Sequence, residues 1–275
     1  MKKKKYKIVV LADLKKSVDP ALKSAVSLAK MIDGEISFFY VKNAAKVVER
    51  DNQLSAMRSI NHDYTATNKK IKKMVESVSS EFQVPVNYSF VFGNVKHEID
   101  DYIKEVNPDI IVLGKKKSNA LNFVGDNITK FVLKKYNGLI FIADANNTLT
   151  PNSKISLGVL NKMETFLNDS LTENLLAYTQ KPIKSFKIVE KSDVLDGTNS
   201  SSEINTINYV FEQNDNSINN LSNYITKNNI NLLCLDRMKN GKYQSSSEKK
   251  DIQTIINKLN VSLLLSGNNN YSLQQ

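Results

Sequence analysis

Few residues of this chain have types and spacings that suit catalysis or metal binding. The two histidines, His62 and His97, fall on segments of helical periodicity, away from any predicted strand end, and no zinc-ligand spacing surrounds them. Ser118 lacks the strand-turn-helix context of a nucleophile elbow. The single cysteine, Cys234, lies inside the apolar run Leu232 to Leu235, which favours a buried thiol. We therefore expect no catalytic residues and no metal ligands.

Residues 7–143 alternate short apolar runs with longer segments of helical periodicity, the pattern of βαβ units around a parallel sheet. The predicted strands are Ile8 to Ala12, Ile36 to Val41, Val86 to Phe90, Ile110 to Leu113 and Leu139 to Ala143. A long, mostly solvated helix is predicted from about Leu54 to Phe82. Behind the fourth strand, a loop with Lys115, Lys116 and Lys117 leads to Gly125.

The second half of the chain repeats this order in a weaker form. Residues 93–114 align without gaps on residues 215–236, so that Tyr102 and Ile103 fall on Tyr224 and Ile225. The strand that follows Asn137 likewise corresponds to the strand that follows Asn260. The second copy is shorter, because a polar stretch around residues 193–203 replaces the long helix. We predict two domains, residues 1–146 and 152–275, joined by a linker.

The charge pattern argues against specific nucleic-acid binding. Residues 1–150 hold 25 lysines and arginines against 16 acidic residues, whereas residues 151–275 hold 13 against 12. Part of the excess is the tail Lys2 to Lys5, and the rest is spread over predicted helix faces without the interleaved aromatic residues that stacking on bases requires. The role of that tail, functional or solubilising, stays open.

The apolar segments are too short for a membrane protein. The run behind the lysine tail, Ile8 to Ala12, is shorter than the core of a signal peptide. No other segment approaches the roughly 20 apolar residues that span a bilayer. We therefore expect a cytoplasmic protein without membrane contact.

Five segments of the first half carry a family resemblance: IVVLAD at residues 8–13, FFYV at 38–41, GNVKHEIDDYIKEVNPDIIVLG at 93–114, GDNIT at 125–129 and GLIFIA at 138–143. With them, residues 6–143, and more weakly residues 152–266, resemble the universal stress protein superfamily. The resemblance implies an α/β fold with two tandem, doubly wound, parallel five-stranded sheets of strand order 3-2-1-4-5, as in Rossmann-like adenine-nucleotide hydrolases. It also implies an intramolecular pseudo-dimer in which the two domains pair through their fifth strands.

The resemblance also implies a nucleotide site in the first domain. Members of the family that bind ATP do so above strands one and four, where the strand order reverses. Asp13 matches their aspartate after strand one, Val41 their valine after strand two, and Gly114 the first glycine of their phosphate loop. The remaining loop positions depart from the family pattern.

In the phosphate loop, the second glycine position is Lys117 and the third is Asn127, with Gly125 two residues early. Asp126, which follows Gly125, would repel phosphate, whereas Lys115 and Lys117 could supply charge to an anion. The predicted ligand-binding residues are Asp13, Val41, Gly114, Lys115, Lys117, Gly125 and Asn127. The expected cofactor is ATP with magnesium, in the first domain alone, because Asp236 replaces Gly114 in the second copy and Leu160 aligns with Asp13.

The sequence therefore favours a non-catalytic stress-response protein that binds an adenine nucleotide or another small anion. The alternative is an adaptor protein that binds no nucleotide and acts through protein contacts. A weak ATPase of the related hydrolase group is a third hypothesis. A further homodimer and an unidentified protein partner stay open.

Overall fold

A computed structural model describes residues 5–14, 18–43, 53–115, 127–161, 170–189, 205–237, 242–244 and 249–266. Its strands are β1 (Tyr6–Leu11), β2 (Gly34–Asn43), β3 (Val86–Gly93), β4 (Ile110–Gly114), β5 (Leu139–Ala143), β6 (Leu157–Leu160), β7 (Ile183–Val189), β8 (Thr206–Glu212), β9 (Leu232–Asp236), β10 (Lys242–Gln244), β11 (Lys249–Asp251) and β12 (Ser262–Ser266). Its helices are α1 (Val18–Ile32), α2 (Gln53–Phe82), α3 (Val95–Val106), α4 (Asn127–Lys135), α5 (Ser170–Ala177), α6 (Ser217–Lys227) and α7 (Ile252–Lys258).

The first five strands are parallel and lie in the order β3-β2-β1-β4-β5. Ile8 of β1 pairs with Ile36 of β2 on one side and with Ile110 of β4 on the other. A helix follows each of the first four strands, because a parallel partner can be reached only by a crossover connection. This is the strand order 3-2-1-4-5 that the resemblance implies.

Strands β6, β7, β8, β9 and β12 repeat the arrangement in the carboxy-terminal half, in the order β8-β7-β6-β9-β12. Equivalent residues occupy equivalent places: Leu11 pairs with Leu113 in the first half, and Leu160 pairs with Leu235 in the second. The second half adds a two-stranded antiparallel sheet, β10 with β11, that the sequence did not predict. The second copy of the fold is therefore present.

The fifth strands of the two halves, β5 and β12, pair in antiparallel fashion. Phe141 lies opposite Leu264 in this register, and the two residues are also equivalent in the repeat, since they pair with Val112 and Cys234 respectively. A pseudo-twofold axis therefore passes between Phe141 and Leu264. The two predicted five-stranded sheets are the halves of one ten-stranded sheet, joined through their fifth strands.

Helices cover both faces of the sheet, with α1, α2 and α5 in one layer and α3, α4, α6 and α7 in the other. Along β1, Ile8 and Val10 contact the first layer, while Val9 and Leu11 contact the second. All four side chains are buried. The apolar runs of the sequence are therefore strands buried on both faces.

The ends of α3 follow local rules that the sequence carries. The Asn94 side chain accepts hydrogen bonds from the backbone N–H groups of Lys96 and His97, so it caps the helix. Asn107 adopts the left-handed conformation at the other end, directly before Pro108. The helix therefore ends where β4 must begin.

The segment predicted as a linker, residues 146–153, packs against α1. Leu149 is buried, its backbone N–H donates to Ser24 Oγ at 3.3 Å, and its carbonyl accepts from Ser27 Oγ at 2.9 Å. Both serines lie on α1 and are themselves buried. The connection between the halves is therefore fixed by buried contacts.

The halves differ between their second and third strands. In the first half, α2 occupies 30 residues of this connection. In the second half, only residues 190–205 separate β7 from β8, which is too few for a helix of that length. The polar stretch predicted at residues 193–203 lies outside the described residues.

Candidate functional site

The site predicted from the sequence lies where β1 and β4 are neighbours in the sheet. From β1 the chain continues through α1 to β2, and from β4 it continues through α4 to β5 on the opposite side. Leu11 pairs with Leu113, so the residues that follow these two strands share one edge of the sheet. The diverging connections leave a crevice at such an edge in doubly wound folds.

Asp13 follows β1 by two residues and is partly buried at this edge. Burial and the Asp13 carboxylate, in that order, raise the pKa of the Tyr40 side chain in β2. Val41, the next residue of β2, is 8 % exposed and contributes to the core. Of the two residues expected at an adenine ring, Asp13 therefore lies just beyond β1, and Val41 lies near the carboxyl end of the adjacent strand β2.

Gly114 is the last residue of β4 and pairs with Ala143 of β5. The side chain of the next residue, Lys115, extends to the joint between the halves, which is the region around the paired strands β5 and β12. Its Nζ lies 3.5 Å from Asp144 Oδ2 and donates a hydrogen bond to the Leu259 carbonyl. Burial lowers the pKa of Lys115, and the Asp144 carboxylate partly offsets that effect.

Asp144 is held in place by the backbone around it. Its Oδ1 accepts from the N–H groups of Asn146 at 2.9 Å and Asn147 at 3.2 Å. The Asp144 N–H donates to Ser262 Oγ at the start of β12. Lys115 is therefore engaged in a buried polar cluster that links the two halves.

Arg237 occupies the equivalent place in the second half, directly after β9, and is 4 % exposed. Its guanidinium donates to the Leu133 carbonyl at 2.7 Å and to the Gly138 carbonyl at 3.0 Å. Leu133 lies in the last turn of α4, and Gly138 directly precedes β5 of the first half. In each half, the cation that follows the fourth strand therefore contacts the helix-to-strand connection of the other half.

The described residues include only part of the rest of the predicted loop. Lys117 and Gly125 lie outside them, and Asn127 is the first residue of α4. The backbone of Asn127 begins the helix that follows the crevice, whereas its side chain is outside the described part. The predicted roles of these three residues in ligand binding stay predictions.

Helix α2 contributes contacts at the crevice that the sequence analysis missed. Lys70 Nζ donates to the Leu14 carbonyl at 3.1 Å. Asp63 Oδ2 lies 2.9 Å from Lys42 Nζ, and the same amine lies 3.4 Å from Thr67 Oγ1. The spacing of Asp63, Thr67 and Lys70 could have revealed this polar stripe, because residues three and four apart share a helix face.

The second half has a different arrangement at the same edge. Asp236, in the place of Gly114, ends β9, and its Oδ1 accepts a hydrogen bond from Ser266 Oγ. The strand register also corrects the alignment, because Leu160 is equivalent to Leu11 rather than to Asp13. The counterpart of Asp13 is Lys162, which lies outside the described residues. A short apolar run such as Leu157–Leu160 carries too little pattern to fix its register from sequence.

Among the described residues, no group of three or more histidine, cysteine, aspartate or glutamate side chains could hold a metal ion. His97 pairs with Asp101 at 2.9 Å on the exposed side of α3. Cys234 is 1 % exposed, and burial raises its pKa well above the usual value. In the same part of the chain, no helix is long and apolar enough to cross a membrane.

Comparison with known proteins agrees with this geometry. A universal stress protein from Archaeoglobus fulgidus DSM 4304 matches 96 % of this chain and 98 % of its own, with a TM-score of 0.67 at 11 % identity. A putative universal stress protein from Pseudomonas aeruginosa UCBPP-PA14 matches 94 % and 92 %, with a TM-score of 0.53 at 9 % identity. These likenesses show that the fold of both halves is shared.

The sequence comparison is more local. No curated protein matches the sequence significantly. The sequence model of the universal stress protein family matches residues 5–137, which hold β1 to β4, α1 to α4 and the crevice. Residues 5–137 of this chain are therefore similar to the universal stress protein family in sequence.

Proposed function

We propose that this chain is a non-catalytic stress-response protein whose amino-terminal half binds an adenine nucleotide, ATP with magnesium, at the crevice between β1 and β4. The observation that carries the proposal is the placement of Asp13 and Gly114 at the carboxyl ends of two adjacent strands, where the sheet order reverses. Such switch points are the usual ligand sites of doubly wound sheets.

The residues present fit the adenine end of a nucleotide better than its phosphates. Asp13 and Val41 lie at the strand ends where an adenine ring would be held. Gly114 has no side chain to obstruct an anion, but Lys115 is engaged by Asp144. The charge for the phosphates would then come from Lys117 and from backbone N–H groups of the loop. Magnesium would be carried by the phosphates, which it commonly bridges.

In this proposal the carboxy-terminal half acts as a pairing partner without a nucleotide. The Asp236 carboxylate occupies the position of Gly114, and a negative charge there opposes a polyanion. The strand that joins the halves is kept in full, from Ser262 to Ser266. The sheet is thus preserved where it supports the first half.

The first experiment asks whether the purified protein carries a nucleotide. The protein is denatured, its supernatant is analysed for adenine nucleotides, and the melting temperature is measured with and without magnesium and ATP. A ligand at 100 times its dissociation constant stabilises a protein by about 2.7 kcal/mol. Inorganic phosphate and AMP serve as probes for a general anion site. No shift with ATP would favour an adaptor protein, and phosphate release above background would indicate an ATPase.

The second experiment gives the site the residue that the carboxy-terminal half has at the equivalent position. Gly114→Asp should abolish the ATP-induced shift, because it places a carboxylate beside the phosphates. Asp236→Gly is the matched change at the equivalent residue and should leave the shift intact. The melting temperature without ligand shows whether either variant is misfolded. ATP binding that survives Gly114→Asp in a folded protein would place the ligand elsewhere.

A further inference from the structure

We propose that α2 positions the adenine side of the crevice, and that Lys70 and Asp63 are positioning residues that determine preference for adenine. This inference rests on the proposed function and extends it to a part of the chain outside the predicted phosphate loop. The two residues act through the loop after β1 and the end of β2, which they contact.

The first contact holds the loop after β1. Lys70 Nζ donates to the carbonyl of Leu14, the residue that follows Asp13. Leu14 has a positive φ of 55°, a backbone conformation that residues other than glycine seldom adopt. A hydrogen bond from a charged amine is among the stronger ones available to hold such a carbonyl. Lys70 therefore fixes the backbone next to the aspartate of the site.

The second contact holds the end of β2. Asp63 pairs with Lys42 at 2.9 Å, and Lys42 follows Val41 directly. The ion pair is partly buried, with 25 % of the lysine side chain and 34 % of the aspartate side chain exposed. The Lys42 amine also lies 5.6 Å from the centre of the Phe92 ring. Each of the two residues expected at the adenine ring is thus followed by a residue that α2 holds.

The length of α2 allows one helix to reach both the loop after β1 and the end of β2. Its 30 residues span about 45 Å at 1.5 Å per residue, whereas the ten residues of β2 span about 33 Å. The carboxy-terminal part of the helix packs on the sheet through Ile71, Val75 and Val78. Nearer its amino terminus, Lys70 contacts Leu14 after β1, and Asp63 contacts Lys42 at the end of β2.

The carboxy-terminal half supports the inference by comparison. Only residues 190–205 connect β7 to β8, which are too few for a helix as long as α2. This half also lacks Gly114 and Asp13 at the equivalent positions, which are Asp236 and Lys162. A helix of this length and the predicted ligand residues therefore occur together in one half.

The test compares Lys70→Met with Lys73→Met. Both changes remove one lysine from an exposed part of α2, but only Lys70 is bonded to Leu14. We expect Lys70→Met to weaken ATP binding about tenfold and to reduce the ratio of ATP to GTP affinity. Lys73→Met should change neither quantity. Lys70→Arg should restore both, because a guanidinium can donate to the same carbonyl.

A second pair of variants tests the other contact. Asp63→Asn weakens the pairing with Lys42, and Glu76→Gln removes an exposed carboxylate that pairs with Lys72 at 3.7 Å. The first should lower the preference for ATP over GTP, and the second should not. Melting temperatures without ligand should be similar in all five variants, which separates positioning from folding.

The outcomes distinguish the inference from the proposed function. If the unmodified protein binds no ATP, the proposed function fails and the role of α2 fails with it. If the unmodified protein binds ATP but Lys70→Met and Lys73→Met have equal affinities and equal base preference, the role of α2 alone is overturned. A loss in Lys70→Met that Lys70→Arg does not restore would also contradict it.

Discussion

The two halves share one strand order but differ in what covers their outer strands. In the amino-terminal half, α2 lies over β2 and β3, and Tyr88 on β3 donates to Asn68 of the helix at 3.1 Å. In the carboxy-terminal half, the face of β7 and β8 on that side presents exposed residues such as Lys187 and Asn208. Among the described residues, the two halves therefore differ both in the helix over these strands and in the polarity of the side chains on that face.

The strand registers make this comparison residue by residue. Leu11 pairs with Phe39, and its equivalent Leu160 pairs with Phe186, which relates residues 36–42 of β2 to residues 183–189 of β7. The same step relates β3 to β8. On the side of α2, four aromatic residues of the first half correspond to polar residues of the second, and a fifth, Phe90, corresponds to the exposed Val210. The four pairs are Phe38 with Ser185, Tyr40 with Lys187, Tyr88 with Asn208 and Phe92 with Glu212.

The opposite face keeps its aromatic contacts in both halves. Phe39 stacks on Tyr102 of α3 with ring centres 3.8 Å apart. The equivalent pair, Phe186 and Tyr224 of α6, has ring centres 5.7 Å apart in an edge-to-face arrangement. Because both copies retain the helix on this face, both retain apolar side chains. Coverage by a helix thus accompanies apolar side chains at most of the compared positions.

The largest expected effect comes from giving the first half a side chain of the second. Phe38 is fully buried between the sheet and the helices that include α2. Phe38→Ser should lower the free energy of unfolding by about 3–5 kcal/mol, the usual cost of emptying a buried phenylalanine site. Urea denaturation measures the change. Ser185→Ala, at the equivalent position of β7, should cost less than about 1 kcal/mol, and equal losses in the two variants would refute the comparison.

A smaller effect is expected at the joint between the halves. Arg237→Met removes the guanidinium that donates to the Leu133 and Gly138 carbonyls. We expect a loss of about 3 kcal/mol, because hydrogen bonds from a charged donor are removed and buried acceptors lose their partner. Arg58→Met makes the same change on the exposed part of α2 and should cost less than about 0.5 kcal/mol. Similar values for the two variants would show that the joint does not depend on Arg237.

Much of the fold could be predicted from the sequence, because strands buried on both faces leave continuous apolar runs. The runs of β1, β4 and β5 were located within one or two residues. The repeat of Tyr102 and Ile103 at Tyr224 and Ile225 revealed the second copy. The strand order and the pairing of β5 with β12 came from the family resemblance.

Other features could not be predicted from the sequence, for physical reasons. Lys115 follows a glycine in a basic loop, and nothing in its local sequence shows that its side chain extends to Asp144 and to the second half. The contacts of Lys70 and Asp63 with the crevice join residues distant in the chain. A helical pattern predicts which residues share a face but not which loop that face meets. The roles of α2 and of Lys115 therefore required the tertiary structure.

The smallest expected effect concerns the second cation of the joint, Lys115. Burial lowers its pKa below the usual 10.5 in the folded state, against the opposing effect of Asp144. Between the lowered value and 10.5, the unfolded chain binds more protons than the folded one, so stability rises with pH. Relative to Lys115→Met, the unmodified protein should therefore gain stability as the pH rises through this window. Urea denaturation of both proteins at several alkaline pH values measures the difference.

Lys134→Met, at an exposed position of α4, controls for the loss of one positive charge at each pH. Because the comparison is between variants, titration of the other lysines affects all three proteins alike. A difference between the unmodified protein and Lys115→Met that falls with pH would mean that the Asp144 carboxylate outweighs burial. Lys115 would then be an ion-pair residue that holds its proton, and the two cations of the joint would act in the same way. A difference that rises would instead distinguish Lys115, whose charge the fold opposes, from Arg237, which stays protonated throughout.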